Sequence, residues 1–411
     1  MPWQQTAPVN ERLKFVAAAQ SGHASMTELC RRFGISRKTG YKLLDRYESE
    51  GPEALRDRSR APHRHPNQTA PSLEGAILRV RKRHPSWGSK KILAVLEREW
   101  DAEELPVRST VDSVLKRAGV VTPRSARRRR QPSAAPVVQA TGPNDVWSID
   151  YKGWFRVGDG TRCDPLTVND VFSRASLECR AMVSPKLEDV QYRLERLFGE
   201  LGLPGAMLSD TGPPFASQGL GRLSRLGVWL VRLGVRPIFI EPGHPEQNGR
   251  HERFHETLKA ETATPPRVSV RAQQAAFDRF RTQYNEERPH EALGMLMPSD
   301  LYRPSKRSMP NFLSEHEYPD HYEVRRVRRD GSMKWDGGFI FVGEAMAGEQ
   351  VGVEPMDDGH WRVHLGVLSL GVLHERSRTV LPLTSEAVWR AVTHVPGHDQ
   401  RFQGRATQSN S

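Results

Sequence analysis

LSDTGPPFAS (208–217), read together with EPGHPEQNGRHERFH (241–255), decides the fold. Asp210 follows the apolar run Ala206, Met207, Leu208 and precedes a Gly/Pro turn, so it is expected at the carboxyl end of a strand. His244 and Pro245 read as the N-cap and first position of a helix that carries Glu246 and continues through GRHERFHETLKAE. Strand ends and helix starts are where open α/β sheets gather their chemistry. A third acid, Asp150, stands upstream in WSIDYKGWF (147–155), inside another predicted strand. Three carboxylates brought to one sheet edge repel each other unless a divalent cation neutralises them, and hard oxygen donors suit Mg²⁺ or Mn²⁺.

The surrounding sequence agrees. WSIDYKGWFRV (147–157), CDPLTVNDVFSRA (163–175) and SLECRAMVS (176–184) read as three successive strands. Residues 187–201 form an amphipathic helix with Val190, Leu194, Leu197, Phe198 and Leu201 on one side. The Asp210 strand, a helix over 219–233, the strand RPIFIEP (236–242) and the Glu246 helix follow. That order predicts an α/β domain with a mixed sheet, closed by a helix over 271–283 and by YNEERPHEALG (284–294).

Upstream, residues 11–19, 26–34 (N-capped by Thr27) and 37–51 (capped by Ser36) predict three helices with a short Gly-containing turn before the basic third. This is a helix-turn-helix pattern with Arg37, Lys38, Tyr41 and Lys42 on the recognition helix. A Pro- and Arg-rich linker ends at Pro71, and helices over 73–83, 90–100 and from Ser109 repeat the theme. Arg124, Arg127, Arg128, Arg129 and Arg130 form a basic block suited to lie along phosphates. Downstream of Pro304, short alternating runs separated by Asp330–Gly331, Asp336–Gly337 and Asp358–Gly359 predict a small β-barrel, with Arg325, Arg326, Arg328 and Arg329 on one edge. The expected limits are 1–53 and 72–122 for the helical modules, 54–71 and 123–139 for linkers, 140–303 for the catalytic core, 304–385 for the barrel and 386–411 for a polar tail.

Charge is distributed unevenly. The chain of 411 residues has a formal net charge of +12, yet residues 1–131 hold 27 Lys and Arg against 14 Asp and Glu. The whole excess lies in the N-terminal third, which points to a polyanionic partner rather than a generally solvated surface. Cys30, Cys163 and Cys179 lie far apart with no Cys-x-x-Cys pair, which argues against a disulfide framework or a cysteine zinc site and fits a reducing cytoplasm. No basic-then-apolar leader and no membrane-length apolar run are read.

WSIDYKGWF, LSDTGPPFAS, PGHPEQNGRHERFH and YNEERPHEAL resemble segments of bacterial insertion-sequence transposases with a retroviral-integrase-type catalytic core. The resemblance spans roughly residues 140–303, and 35 residues separate Asp210 from Glu246, the spacing of that superfamily's acidic triad. Where the family usually has Asn after the second acid, this chain has Thr211. The resemblance implies a ribonuclease-H-like core, double-stranded DNA as substrate and two Mg²⁺ or Mn²⁺ ions about 3.5–4 Å apart. It implies that Asp150 bridges the ions while Asp210 and Glu246 each hold one. It also implies an SH3-like C-terminal barrel and a nucleoid-associated enzyme that nicks its element's ends and joins them to target DNA.

Arg250 and Arg253, four and seven residues past Glu246, would share its helix face and hold the DNA strand. One triad per chain and two element ends to process predict at least a homodimer in the DNA complex. Two other readings compete. His251–Glu252–Arg253–Phe254–His255 matches the zinc-protease motif H-E-x-x-H, with Glu286, Glu287 or His290 available as a third ligand. That short motif lies within a segment already explained. His63, His65 and His84 read as solvated linker histidines in the absence of a cysteine pair. A catalytically impaired DNA-binding regulator is the alternative function; its mark would be a missing acid, and all three are present.

Overall fold

In the computed structural model residues 8–58, 68–121, 138–241, 244–356 and 359–383 are described, without the side chains of Pro245 and Glu246. The chain divides between Ala70 and Pro71 into two compact units.

The first unit holds α1 (Pro8–Gln20), α2 (Met26–Arg32) and α3 (Arg37–Glu50). Phe15, Val16, Leu29, Cys30 and Leu43 form its core. Ser25, not Thr27, caps α2, accepting from the Glu28 N–H at 3.4 Å. Ser36 caps α3 as expected, accepting from the Thr39 N–H at 3.2 Å. Gly40 lets α3 approach closely, because a Cβ there would lie 2.8 Å from Cys30 Sγ and 2.9 Å from Phe15 Cζ. Ala54 and Leu55, assigned to a linker by their sequence, close this core through a 3₁₀ turn at Pro52–Leu55, and Leu55 is fully buried.

The second unit begins with α4 (Pro71–Arg83), α5 (Ser89–Leu96) and α6 (Arg108–Arg117), which pack around Ile77, Trp87, Ile92, Leu96 and Val111. This trio meets the following domain through polar contacts. Arg83 pairs with Glu287 at 2.7 Å, Lys90 with Glu291 at 2.8 Å and Arg98 with Asp300 at 2.6 Å, while Ser86 Oγ donates to Glu261 at 3.0 Å. No helix among the described residues is long and apolar enough to cross a membrane.

The central domain is a mixed sheet with helices. Its strands are β1 (Val146–Tyr151), β2 (Phe155–Arg156), β3 (Arg162–Asp170), β4 (Ser176–Met182), β5 (Ala206–Ser209) and β6 (Arg236–Phe239). β3 runs antiparallel to β1 and β4, whereas β5 lies parallel to both β1 and β6. The strand expected over 147–157 is broken, because Gly153 takes φ +85° between β1 and β2. α7 (Leu187–Leu201) buries Val190, Leu194, Leu197 and Phe198 against Trp147 and Ile149. Truncating Trp147 or Phe198 to Ala would cost about 3–5 kcal/mol. Gly202 ends α7 at φ +76°, and a Cβ there would strike the carbonyls of Ser305 and Arg307, at 2.6 and 2.8 Å. α8 (Arg225–Arg232), α9 (Gly249–Thr262), α10 (Val270–Glu286) and α11 (Pro298–Leu301) complete the domain. The helix expected from Pro245 starts later: Pro245–Asn248 is a 3₁₀ turn, and α9 follows it.

The C-terminal strands are β7 (Glu323–Arg326), β8 (Ser332–Trp335), β9 (Gly338–Phe341), β10 (Gln350–Pro355), β11 (His360–Leu365), β12 (Leu368–His374) and β13 (Thr379–Pro382). They form two open sheets, β13-β12-β11-β10-β7 and the hairpin β8-β9, instead of a closed barrel. Asp336 and Gly337 take φ +38° and +70° at the hairpin tip, as their sequence predicts. α8 serves two cores at once. Leu226 and Leu230 pack into the central domain, while Val228 and Val231 pack with Val327, Met333 and Leu370 of the C-terminal strands.

Candidate active site

β1 lies inside the sheet, paired on both edges, and its first four residues are buried. Trp147 and Ile149 face the α7 side; Ser148 faces α9, with its Oγ 2.9 Å from His251 Nδ1. Asp150 follows Ser148 by two residues and so shares the α9 face. Parallel pairing aligns Val146 with Ala206, Trp147 with Met207 and Ser148 with Leu208. Continued by two residues, this register sets Asp210 level with Asp150, just beyond the end of β5. Neighbouring strands lie about 4.8 Å apart. The two acids therefore meet at the carboxyl edge of the sheet.

Their surroundings differ. Asp150 Oδ2 accepts from Asn248 Nδ2 at 3.1 Å. Asp210 Oδ1 accepts from the Gly212 N–H at 3.2 Å. Burial, then the charge of Asp210 and more weakly that of Glu252, pushes the Asp150 carboxyl up to about 7. Glu246 belongs to the 3₁₀ turn that precedes α9, and its side chain is outside the described residues. With that turn in between, Glu246, Arg250 and Arg253 do not ride one continuous α-helix. Among the described residues no group of three or more His, Cys, Asp or Glu gathers as a metal site. Asp150 and Asp210 remain an oxygen-only pair that fits a hard divalent cation.

The H-E-x-x-H histidines are occupied elsewhere. His251 Nε2 and His255 Nε2 lie 2.6 and 2.8 Å from the hydroxyl of Thr167, which donates to the Asp150 carbonyl at 3.0 Å. A hydroxyl has one proton, so with the Thr167 proton on the Asp150 carbonyl both rings donate to Thr167; the Ser148 hydroxyl lies between His251 Nδ1 at 2.9 Å and the Asn169 carbonyl at 3.3 Å. Burial lowers the two rings to about 3 and about 2. They staple α9 to β1 and β3, and the suggested third zinc ligands are absent from the cluster. Glu287 pairs with Arg83 and His84, and His290 packs on Tyr284 with ring centroids 4.8 Å apart. His84 is not a solvated linker residue: it stacks on Trp87 at 3.7 Å and lies 3.3 Å from Glu287. His63 and His65 lie outside the described residues.

Arg37, Lys38, Tyr41 and Lys42 all lie on the exposed side of α3, opposite Gly40 and Leu43, and Tyr41 is 59% exposed. Arg250 and Arg253 lie in the first turns of α9, and Arg253 Nε donates to the Gly249 carbonyl at 3.1 Å. Arg127, Arg128, Arg129 and Arg130 lie outside the described residues. Sequence reasoning left Asn248 without a role. Its place in PEQNGR, two residues after an expected metal ligand, was the available signal.

The chain matches the "Integrase core domain" model over residues 140–245 and a second model of that description over 233–298. A "Helix-turn-helix domain" model matches residues 11–63 and a "Homeodomain-like domain" model residues 39–115. By its domains this is an integrase-core protein with helix-turn-helix modules. It is similar to proteins encoded by bacterial insertion elements. One is the insertion element IS407 uncharacterized 31.7 kDa protein of Burkholderia multivorans, 28% identical over 56% of this chain and 80% of that relative. Another is the insertion element IS476 uncharacterized 39.2 kDa protein of Xanthomonas euvesicatoria, 28% identical over 54% of this chain and 57% of that relative. The match thus spans just over half the length of the second. Among solved structures, the HTLV-2 integrase catalytic core domain in complex with magnesium (trimeric form) is 15% identical, covers 40% of this chain and 100% of that chain, and has a TM-score of 0.32.

Proposed function

We propose that the protein is a DNA transposase that binds the terminal inverted repeats of its own element, cuts their 3′ ends by metal-dependent hydrolysis and joins them to target DNA by transesterification. The observation that carries this reading is the parallel register of β1 with β5, which when continued brings Asp150 level with Asp210 just past the end of β5, with the charge of Asp210 helping to raise the Asp150 carboxyl to about 7. A carboxyl whose ionisation is opposed by burial and a facing acid marks a site short of positive charge. Asp150, Asp210 and Glu246 are assigned as ligands of Mg²⁺ or Mn²⁺, two ions per site. Such ions, when bound, stabilise the attacking and leaving oxygens of an in-line phosphodiester displacement.

The chain's own groups position the reaction. Asn248 fixes one oxygen of Asp150. The Thr167–His251–His255 staple fixes α9 against the strand that carries Asp150. Arg250 and Arg253 hold the DNA strand, and Arg37, Lys38, Tyr41 and Lys42 read the element's end. In the first step water displaces the flanking strand and leaves a free 3′-hydroxyl. In the second, that hydroxyl attacks a target phosphodiester and releases a target 3′-hydroxyl, so one P–O bond forms as one breaks and no ATP is needed. The C-terminal strands, two open sheets joined by the Val327–Met333 bridge, are read as an accessory DNA-contacting module. Their Arg325, Arg326, Arg328 and Arg329 add phosphate contacts.

Separate Asp150→Asn, Asp210→Asn and Glu246→Gln variants test this on duplexes that carry the element's ends. Each is expected to lose Mg²⁺-dependent nicking and joining down to background while binding DNA as the parent does. Retained cleavage in the Asp210 variant sinks the assignment.

A further inference from the structure

We propose that Arg174 and Arg250, which line a common cleft beside the acids, form a seat for one backbone phosphodiester of the bound DNA strand. The cleft opens between the β3–β4 turn, which supplies Arg174, and the start of α9, which supplies Arg250; Tyr284 and Asn248 also line it. Asn248 bonds Asp150, so the cleft adjoins the acid pair. Strand register gives its distance. Thr167 lies opposite Asp150 and Asp170 opposite Trp147, which places the β3–β4 turn about 10 Å back along the sheet at about 3.3 Å per residue.

Arg174 lacks the partners that a buried cation ordinarily has. Its Nε is shielded from solvent and has no hydrogen-bond partner. Among the described residues no carboxylate forms an ion pair with its guanidinium. Asp170, the acid close by on the same hairpin, is already committed: its carboxylate accepts from the N–H of Asn144 and from the N–H and hydroxyl of Ser173. Burial first, then the like charges of Arg250 and Arg253, pushes Arg174 down to about 10, so it stays charged at neutral pH. A half-buried cation that faces two other cations, opposed only by the already hydrogen-bonded Asp170 and not ion-paired with it, is costly. An entering phosphodiester removes that cost and offers oxygens in the geometry that a guanidinium fork binds best. The seat depends on the strand-transfer reading only in naming DNA as the source of the anion.

The test compares the full chain with Arg174→Met and Arg174→Lys. Thermal unfolding is followed with and without inorganic phosphate, and binding of a labelled flush-ended duplex is followed against salt. Arg174→Met is expected to melt no lower than the parent without phosphate and to lose the parent's rise in Tm with phosphate. Its plot of log K against log salt should be shallower by about 0.9, the loss of one phosphate contact. Arg174→Lys should retain part of each effect. A Met variant that melts lower with an unchanged slope overturns the seat and makes Arg174 a packing residue. A parent that gains stability from phosphate through Arg174 but never nicks element ends upholds the anion seat and sinks the strand-transfer reading. A parent that responds to neither phosphate nor duplex overturns both.

Discussion

Thr167 satisfies two buried imidazoles with one hydroxyl, and so much depends on a single oxygen atom. Thr167→Val keeps the shape and leaves two ring N–H donors without an acceptor, which should cost about 2–4 kcal/mol in urea unfolding. With the acid site removed by Asp150→Asn and Asp210→Asn, added zinc or a chelator should leave stability unchanged, whereas a zinc-protease site at His251 and His255 would respond to both. The same rings set a pH dependence. Their folded values, about 3 and about 2, lie below the 6.5 of a free imidazole. Below pH 6.5 the unfolded chain therefore binds protons that the folded chain refuses. Stability is full above that pH and falls as pH drops towards 3, by about 1.4 kcal/mol per pH unit for each ring. Asp150 acts in the opposite sense, since its raised value favours the folded state as acid is added. Urea titrations at several pH values should show a steeper acid loss in the Asp150→Asn background than in the parent, with His290, also lowered to about 3, adding to the histidine slope; an unchanged profile would contradict it.

Among the elements, those with a clear period were legible in the sequence and those defined by a few residues were not. α7 matched its predicted limits because Val190, Leu194, Leu197 and Phe198 recur at helical spacing. β5 and its following acid were legible from three apolar residues and a Gly/Pro turn. β8 was missed because SMKW offers only four residues, and Lys334 faces water among them. The start of α9 was misplaced because proline at a first helical position fits a 3₁₀ turn equally well. At the site, acids at strand ends could be found by position, whereas Arg174 sits in a hairpin turn that carries no periodic signal. The α4–α5 contact with the core belongs to this scale too. Exposed ion pairs contribute about 0–1 kcal/mol each, so Lys90→Ala alone should hardly change stability. Reversing Arg83, Lys90 and Arg98 together to Glu sets like charges against Glu287, Glu291 and Asp300. That variant should show faster amide hydrogen exchange on α4 and α5, and unchanged exchange would mean that the contact is held by other means.

For the whole molecule, the concentration of positive charge before residue 131 predicts that a fragment of residues 1–131 binds element-end DNA by itself. Its affinity should fall steeply with salt as counterions are released, and a fragment indifferent to salt would refute this. Two ends and one acid set per chain predict action in pairs. A chain defective in end binding, mixed with one that lacks Asp210, should restore joining that neither performs alone; absence of rescue would argue for a chain that serves its own end. The double use of α8 has a bearing on how such a gene decays. A stop codon just past residue 303 would leave Asp150, Asp210 and Glu246 in place yet bare Leu223, Val228 and Val231 to water, having removed the strands that cover them. The shortened product would be sticky and prone to proteolysis, and a copy eroded from its 3′ end should fall silent in one step rather than linger as a slower enzyme.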